Sequence, residues 1–566
     1  MLNKKISLEK LQKRIDAAVG KTSCDLILRN VQYLDVFSCT WKTGDLSIVD
    51  GTIVGLEPGL KAKREIQGRN YYLVPGFIDA HVHVESSMML PHYFEKAVMP
   101  RGTTTAICDP HEIANVIGLE GLRFFLNASE LLQMDLFVML SSCVPATHLE
   151  TNGGGILNAK DLWSLANHPR ALGLAEVMNF PGVINAQKEV LEKIEAFSPM
   201  PIDGHCPMLR GLELSAYASS GISSCHESSE LEEAKEKLTK GMDIWIREGS
   251  VAKDLRALLP LINMATSTSI GFCTDDRNPY DIATEGHVDY LVRESIRGGV
   301  LPKIAYRVAS WGVARHYRLN TGVNRIGAIA PGYQADFAVL GDPKTCETID
   351  VYKRGQNVNE MGFSKVPYYS AKNTICALLP DPEQLKGPSG QVNVIGVLEG
   401  KILTSHEVMS SESPRVARLS VLERHGHNSK PSNGYVTGFG ENLKGAIASS
   451  VGHDSHNLIV VGKDLKEMRL ALAVLAQSGG GFCVVGGENV MAHLPLPFGG
   501  LMSEKTPQAL KKDIENLREA SCHIGCVLKE PFLQLAFLSL PVIPKLKLTD
   551  KGLVDVEKFE LIPVGI

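Results

Sequence analysis

The sequence predicts an α/β protein: a (β/α)8 barrel of TIM type, a composite β-sandwich drawn from both of its flanks, and an additional C-terminal α+β domain. Three observations carry this expectation. Between Pro75 and position 328, eight apolar strand candidates alternate with amphipathic helical stretches. Such alternation implies parallel pairing, and about 250 residues suffice to close eight units into a barrel. The strand candidates tend to end in polar, chemically capable residues. Finally, the chain has 566 residues, more than one hydrophobic core normally serves.

Residues 1–22 hold a short amphipathic helix, with Leu8, Leu11, Ile15 and Val19 at helical spacing, suited to capping a domain or a subunit contact. Residues 23–74 read as a small β unit, in which Asp50 and Gly51 give a hairpin turn signal. The barrel occupies 75–328. Its strand candidates are FIDAHVHVE, TTTAICDPHE, DLFVMLSSCVP, ALGLAEVMN, PIDGHCP, GISSCHESS, DIWIREGS and SIGFCTDDR, and the intervening stretches, such as NAQKEVLEKIEAF, are helical. Strands resume at GAIAPGYQADFAVLGD, where Gly332 and Asp336 flank a turn, so 329–380 is placed with 23–74 in one β unit. The run LPDPEQLKGPSGQ marks a boundary. Beyond it, 381–566 mixes strands (NLIVVG, GFCVVGG) with helices (DLKEMRLALAVLAQ) as a separate domain.

Composition narrows the function classes. Hydrophobic residues make up 44% and charged residues 21%, as in an ordinary globular protein. A formal net charge of −5 offers no basic field for phosphates, so nucleic acid is excluded as an expected partner. No apolar run has membrane-spanning length and the N-terminus is charged throughout, which predicts no membrane partner and a cytoplasmic location. The 12 cysteines are scattered and are expected to be reduced thiols. Cys522, His523 and Cys526 in CHIGC resemble half of a zinc site without a second half.

The chemistry begins at GFIDAHVHVESS. His81 and His83 lie two residues apart on a strand, so their rings share one face and can grip an ion as neutral imidazoles. In a barrel of this kind catalytic groups gather at the C-terminal ends of the strands. The first strand offers His81, His83 and Glu85, the second Asp109, His111 and Glu112, and the fourth Glu176. The fifth, sixth and eighth offer His205, then His226 and Glu227, then Asp275 and Asp276. Four imidazoles and two carboxylates, His81, His83, Glu176, His205, His226 and Asp275, suit two divalent ions about 3.5 Å apart. Taken singly, each has a duller reading: His205 a core histidine, Glu176 a surface carboxylate, Asp275 a helix cap. Cys225 adjoins His226, but alternation turns it away.

This pattern resembles the amidohydrolase superfamily, and PGYQADFAVL resembles the β unit that accompanies its barrel. The fourth strand carries Glu176 and no lysine, unlike the lysine-bridged hydantoinases and dihydroorotases. The strings AHVHVESSMM, CDPHEIANV, GLAEVMNFPGV, DGHCP, CHES and CTDDR, with the later GHDSHN and LPLPFGG, resemble the bacterial adenine deaminase family over nearly the whole chain. That resemblance implies metal ligands at His81, His83, Glu176, His205, His226 and Asp275. It also implies two divalent cations, Mn2+ or Fe2+, adenine as the small-molecule substrate, and a homo-oligomer. An amidohydrolase acting on another small C–N substrate, such as an N-acetyl amino sugar phosphate deacetylase, is the alternative; a non-catalytic relative would have lost ligands.

The expected reaction is attack by a metal-bridging hydroxide on C6 of adenine, giving hypoxanthine and ammonia. Glu112 is the expected proton donor to the ring, since burial just beyond the second strand would raise its pKa. Asp275 is expected to move the hydroxide's proton to the departing amine, Glu176 to bridge, and Glu85, Asp109 and His111 to hold the substrate, unless His111 only orders its loop. His453 and His456 in HDSH are read as a helix-capping turn, with a ligand pair as the alternative. SGGGF and FGG lack a nucleotide-binding pattern and are read as turns.

Overall fold

The computed structural model describes residues 5–367 and 373–566. Its catalytic half is a ring of parallel strands, each followed by helical or loop segments. Strands β1 (Phe77–Val82), β2 (Thr103–Cys108), β3 (Asp135–Leu140), β4 (Ala171–Val177) and β5 (Ile202–Gly204) form one five-stranded sheet. Strands β6 (Ser224–Cys225), β7 (Asp243–Arg247) and β8 (Ile270–Cys273) form a three-stranded one. Backbone hydrogen bonds join the two at both seams. Ser223 N–H donates to Ile202 O at 3.1 Å, and Asp275 N–H donates to His81 O at 3.0 Å. The result is a TIM-barrel-like fold.

All eight strands are buried along their length, as expected where the sheet is covered on both faces, and this is why they read as apolar runs rather than alternating ones. Ile78, Ala80, Ile107, Phe137, Met139, Leu172, Trp245 and Tyr317 pack as one buried cluster. Tyr317 also hydrogen-bonds Asp203 Oδ2 at 2.7 Å. The interior is therefore a filled core, and the strand-end groups face the opposite, C-terminal mouth.

Both flanks of the barrel enter one eight-stranded sheet, in which Phe337–Leu340 pairs antiparallel with Tyr72–Pro75. The long strand Cys24–Asp35 pairs in parallel first with Ala62–Gln67 and then with Tyr72–Pro75. Beneath the barrel, Lys353 Nζ sits 2.7 Å from both Asp135 Oδ2 and Asp336 Oδ2, and Arg170 is 2.8 Å from Asp135. This buried network fastens the flanking sheet to the start of β3.

Beyond 380, a second eight-stranded sheet carries the helix Leu465–Ser478. Asp464 caps that helix by accepting from the N–H groups of Lys466 and Glu467, and Gly479 ends it at φ +74°, the left-handed region glycine favours. The Gly-rich run is thus a turn. This C-terminal part docks on the loop after β3: Asn457 Nδ2 donates to Thr151 O at 2.9 Å, and Thr549 Oγ1 donates to Leu149 O at 2.6 Å. It therefore sits over the mouth.

At the other end of the chain, Ser7 caps the helix Leu8–Ala18, whose Leu8, Leu11 and Ile15 are exposed together with Val19 just after it. Among the described residues no helix is long and apolar enough to cross a membrane.

Candidate metal centre

The ends of β1, β4, β5, β6 and β8 converge. His81 Nε2 and His83 Nε2 lie 3.1 Å apart, and Asp275 Oδ1 is 3.5 Å from the first and 3.1 Å from the second. Glu176 stands between two histidine pairs and divides its oxygens. Oε1 is 3.7 Å from His81 and 3.4 Å from His83, whereas Oε2 is 2.7 Å from His205 Nδ1 and 3.2 Å from His226 Nε2. The side chains are all buried.

These separations have a physical reading. Donors about 2.1 Å from a shared cation stand about 3.0 Å apart in an octahedron and about 3.4 Å apart in a tetrahedron. The contacts scatter around those edges. Glu176 Oε1 and His205 Nε2 are buried without a hydrogen-bond partner, an arrangement that proteins keep only where something else satisfies the group. His83 is oriented by its other nitrogen, with Nδ1 at 2.8 Å from Asp109 O. An Nδ1–H donated there leaves the Nε2 lone pair facing the cluster. A donor set of imidazole and carboxylate fits first-row divalent ions.

Electrostatics agree. Burial would raise the carboxyl pKa of Glu176, but His226, His111 and His205 hold it well below the ordinary range. Burial also opposes ionisation of Asp275, yet His81, His83 and Arg247 keep it low. Despite burial and the neighbouring His111, Asp275 and Glu176 raise His83 well above its usual value. Protons are thus drawn to the spot where a cation would bind.

Around this centre the expected roles diverge. Asp109 accepts from Ser141 Oγ at 2.5 Å and lies 3.2 Å from His111 Nδ1. His111 in turn reaches Glu176 Oε1 at 3.2 Å. For Glu112 the expected upward shift is reversed. Burial does push its carboxyl up, but His453, His456 and His111 outweigh it and hold the group well below its ordinary value. Among the carboxyls that burial does raise, Glu85 reaches about 8, helped by the charge of Glu112, and Asp276 about 6, helped by the charge of Asp275. Glu85 Oε1 accepts from Ile113 N–H at 3.2 Å, and its Oε2 is buried and unpartnered. Cys225 turns away as alternation requires, its sulfur 3.4 Å from Lys237 Nζ and 3.6 Å from Cys206 Sγ.

Two features lie outside the sequence expectations. Arg247, at the end of β7, is buried, with Nη1 3.1 Å from Asp275 Oδ2 and Nη2 3.1 Å from Glu227 Oε2. A cation ending an apolar strand, DIWIR, is the signal that could have found it. The second is the roof. No helix follows HDSH, and the next element is the strand Leu458–Gly462, so the capping reading is replaced: both histidines reach Glu112. His453 stacks on Phe537 at 4.5 Å between ring centroids. With Ile402, Leu540 and Ile543 they line a cavity over His83, Glu176, His205, His226 and Asp275. In CHIGC, His523 Nδ1 instead meets Glu519 O of its own helix at 2.8 Å.

Residues 72–358 match the amidohydrolase family, and residues 398–560 match the adenine deaminase C-terminal domain. The chain is 46% identical over 567 aligned positions to a protein of Cereibacter sphaeroides (strain KD131 / KCTC 12085) named adenine deaminase, covering 98% of this chain and 99% of that one. It is 45% identical to one of Brucella suis biovar 1 (strain 1330) with the same name, covering 98% and 96%. Among solved structures, a β-aspartyl dipeptidase from Fervidobacterium islandicum AW-1 aligns over 59% of this chain and 96% of its own, at 16% identity and a TM-score of 0.45.

Proposed function

The chain belongs to the amidohydrolase family, in its adenine deaminase branch, and from that membership we infer that it hydrolyses adenine to hypoxanthine and ammonia. The observation that carries the reading is Glu176, which gives one oxygen to His81 and His83 and the other to His205 and His226. His81, His83, Glu176, His205, His226 and Asp275 would hold two divalent ions, with Mn2+ or Fe2+ suited to the donor set. When bound, such ions supply Lewis acidity and bring the pKa of a water toward neutrality.

The remaining steps fall to side chains. Water adds its oxygen to C6, a ring nitrogen gains a proton, and collapse forms the C6=O bond and breaks the C6–N bond, one water proton leaving with the ammonia and the other restoring the ring donor. Asp275, held as a carboxylate and steadied by Arg247, takes the water's proton and returns it to the leaving amine. Glu85 suits the ring donor better than Glu112, because its Oε2 is buried and unpartnered just beyond β1 whereas Glu112, which lines the cavity, is engaged by His453 and His456. Met178, Phe537, Leu540 and Ile543 give the purine apolar walls and exclude water.

Under the same reading, residues 75–328 are the catalytic barrel, 23–74 with 329–380 its composite β unit, and 381–566 a C-terminal domain that roofs the site. A cytoplasmic homo-oligomer completes it, with the exposed stripe Leu8, Leu11, Ile15 and Val19 as a candidate contact; light scattering at the mass of one chain would remove that part. The main test is protein loaded with Mn2+ and offered a purine panel and an N-acetyl amino sugar phosphate. Ammonia from adenine is expected; acetate release alone, or no reaction with adenine despite two bound ions, overturns the assignment. Glu85→Gln should lower kcat by ~10²-fold or more with both ions retained. Full activity there, with that loss in Glu112→Gln, would return the donor role to Glu112.

A further inference from the structure

We propose that His111, Glu112, His453 and Asp454 form a further divalent-cation site, separate from the pair above, that clasps the C-terminal part to the barrel mouth. The four side chains are buried, and one donor atom from each lies within 4.8 Å of all the others. Two come from the segment after β2, and two from a loop more than 300 positions later in the chain.

The geometry distinguishes an ion site from a hydrogen-bonded cluster. His453 Nδ1 is 2.9 Å from Glu112 Oε1 and 3.6 Å from Asp454 Oδ1, and His111 Nε2 is 3.4 Å and 3.7 Å from the same two oxygens. These four edges bracket the about 3.4 Å edge of a tetrahedron with arms of about 2.1 Å. A hydrogen bond from His453 to Glu112 would explain the shortest edge only. It leaves His111 Nε2 with no hydrogen-bond partner. Buried polar atoms close to one another yet outside hydrogen-bond geometry are what convergence on a common point produces.

Neighbouring contacts prepare the ligands. His111 turns Nδ1 to Asp109 Oδ2 at 3.2 Å, so a proton there leaves Nε2 free to coordinate. His456 is excluded as a ligand: its Nδ1 accepts from Gly452 N–H at 3.3 Å, so its proton is on Nε2, which is turned against Glu112 Oε2. It holds one oxygen of Glu112 while the other faces the site. Two imidazoles and two carboxylates neutralise a divalent charge and select a borderline first-row cation. An ion here also removes the cost of burying two carboxylates side by side.

The test counts metal in full-length protein, loaded with Mn2+, passed through a desalting column and measured by mass spectrometry, with ammonia release from adenine recorded in parallel. Three equivalents are expected in the wild type and two in His453→Gln and in Asp454→Ala. Two equivalents in the wild type, or three kept by both variants, overturn the site. If the variants fail to fold, the wild type decides: a third equivalent that leaves on mild chelation and returns with Mn2+ supports the clasp, and a count of two overturns it. Failure of the deaminase reading would register differently, as ions bound without ammonia.

Discussion

The two ends of the barrel each bury a cluster of charge, and they handle it in opposite ways. Below, Asp135 and Asp336 meet Lys353 and Arg170 at 2.7–2.8 Å, and Arg354 N–H donates to Asp336 Oδ1 at 2.8 Å. Opposite charges there satisfy one another. Above, Glu176 Oε1, His205 Nε2 and His111 Nε2 are buried without hydrogen-bond partners. The difference separates a network that holds the fold from one held open for ligands, in line with the division of labour between the two faces of such barrels.

Substitutions can break that comparison, and the largest effect belongs to the mouth. Glu176→Ala removes an oxygen from each half of the centre, so metal content should collapse. With it goes the several kcal/mol a Lewis acid contributes, which at 1.36 kcal/mol per decade means ~10³-fold or more in kcat/KM. Next, Lys353→Met strands Asp336 and weakens Asp135 in the interior, at a cost of about 3–5 kcal/mol in urea unfolding. Metal content and turnover of the folded protein should be retained, and lost metal would merge the two clusters.

The smallest effect is a pH slope, opposite in sign at the two ends. Asp135 is buried, but Lys353, Arg354 and Arg170 hold its folded pKa well below the unfolded value. Its contribution is therefore present above about pH 4 and lost as the pH falls below it. Glu85 in metal-free protein is raised to about 8. Its protonated form favours the fold below about pH 4.3, and that advantage is lost as the pH rises toward 8, by at most about 1.4 kcal/mol per unit. Glu85→Gln should make the neutral decline shallower, since Glu95, Glu150, Glu248 and Glu530 are also raised by burial, to about 7 or 8, while leaving the acid limb unchanged; equal curves for both proteins would mean that those groups set the decline.

Much of the mouth is legible in the sequence, because a parallel strand delivers its last side chains to one end of a barrel. The convergence of His81, His83, Glu176, His205, His226 and Asp275 follows from that regularity. What stays hidden depends on partners distant in the chain. Burial alone makes Glu112 look like an acid, yet its charge is set by His453 and His456, some 340 positions away. Arg247 looks like the end of a strand, and only the closed ring brings it to Asp275. HDSH resembles a cap because local spacing cannot reveal which surface a loop meets.

The loop that carries His453 has a consequence for assembly in time. Every side chain of the candidate metal centre has been made once Asp275 is added, whereas His453 follows 178 residues later. At ordinary elongation rates that interval is roughly 10–35 s. During it a barrel that closes early is an open cup whose ligands stand exposed to passing cations, and the roof arrives only afterwards. Loading before roofing needs no opening of the finished molecule, so the metal installed would be decided by what is available while the chain is still being made.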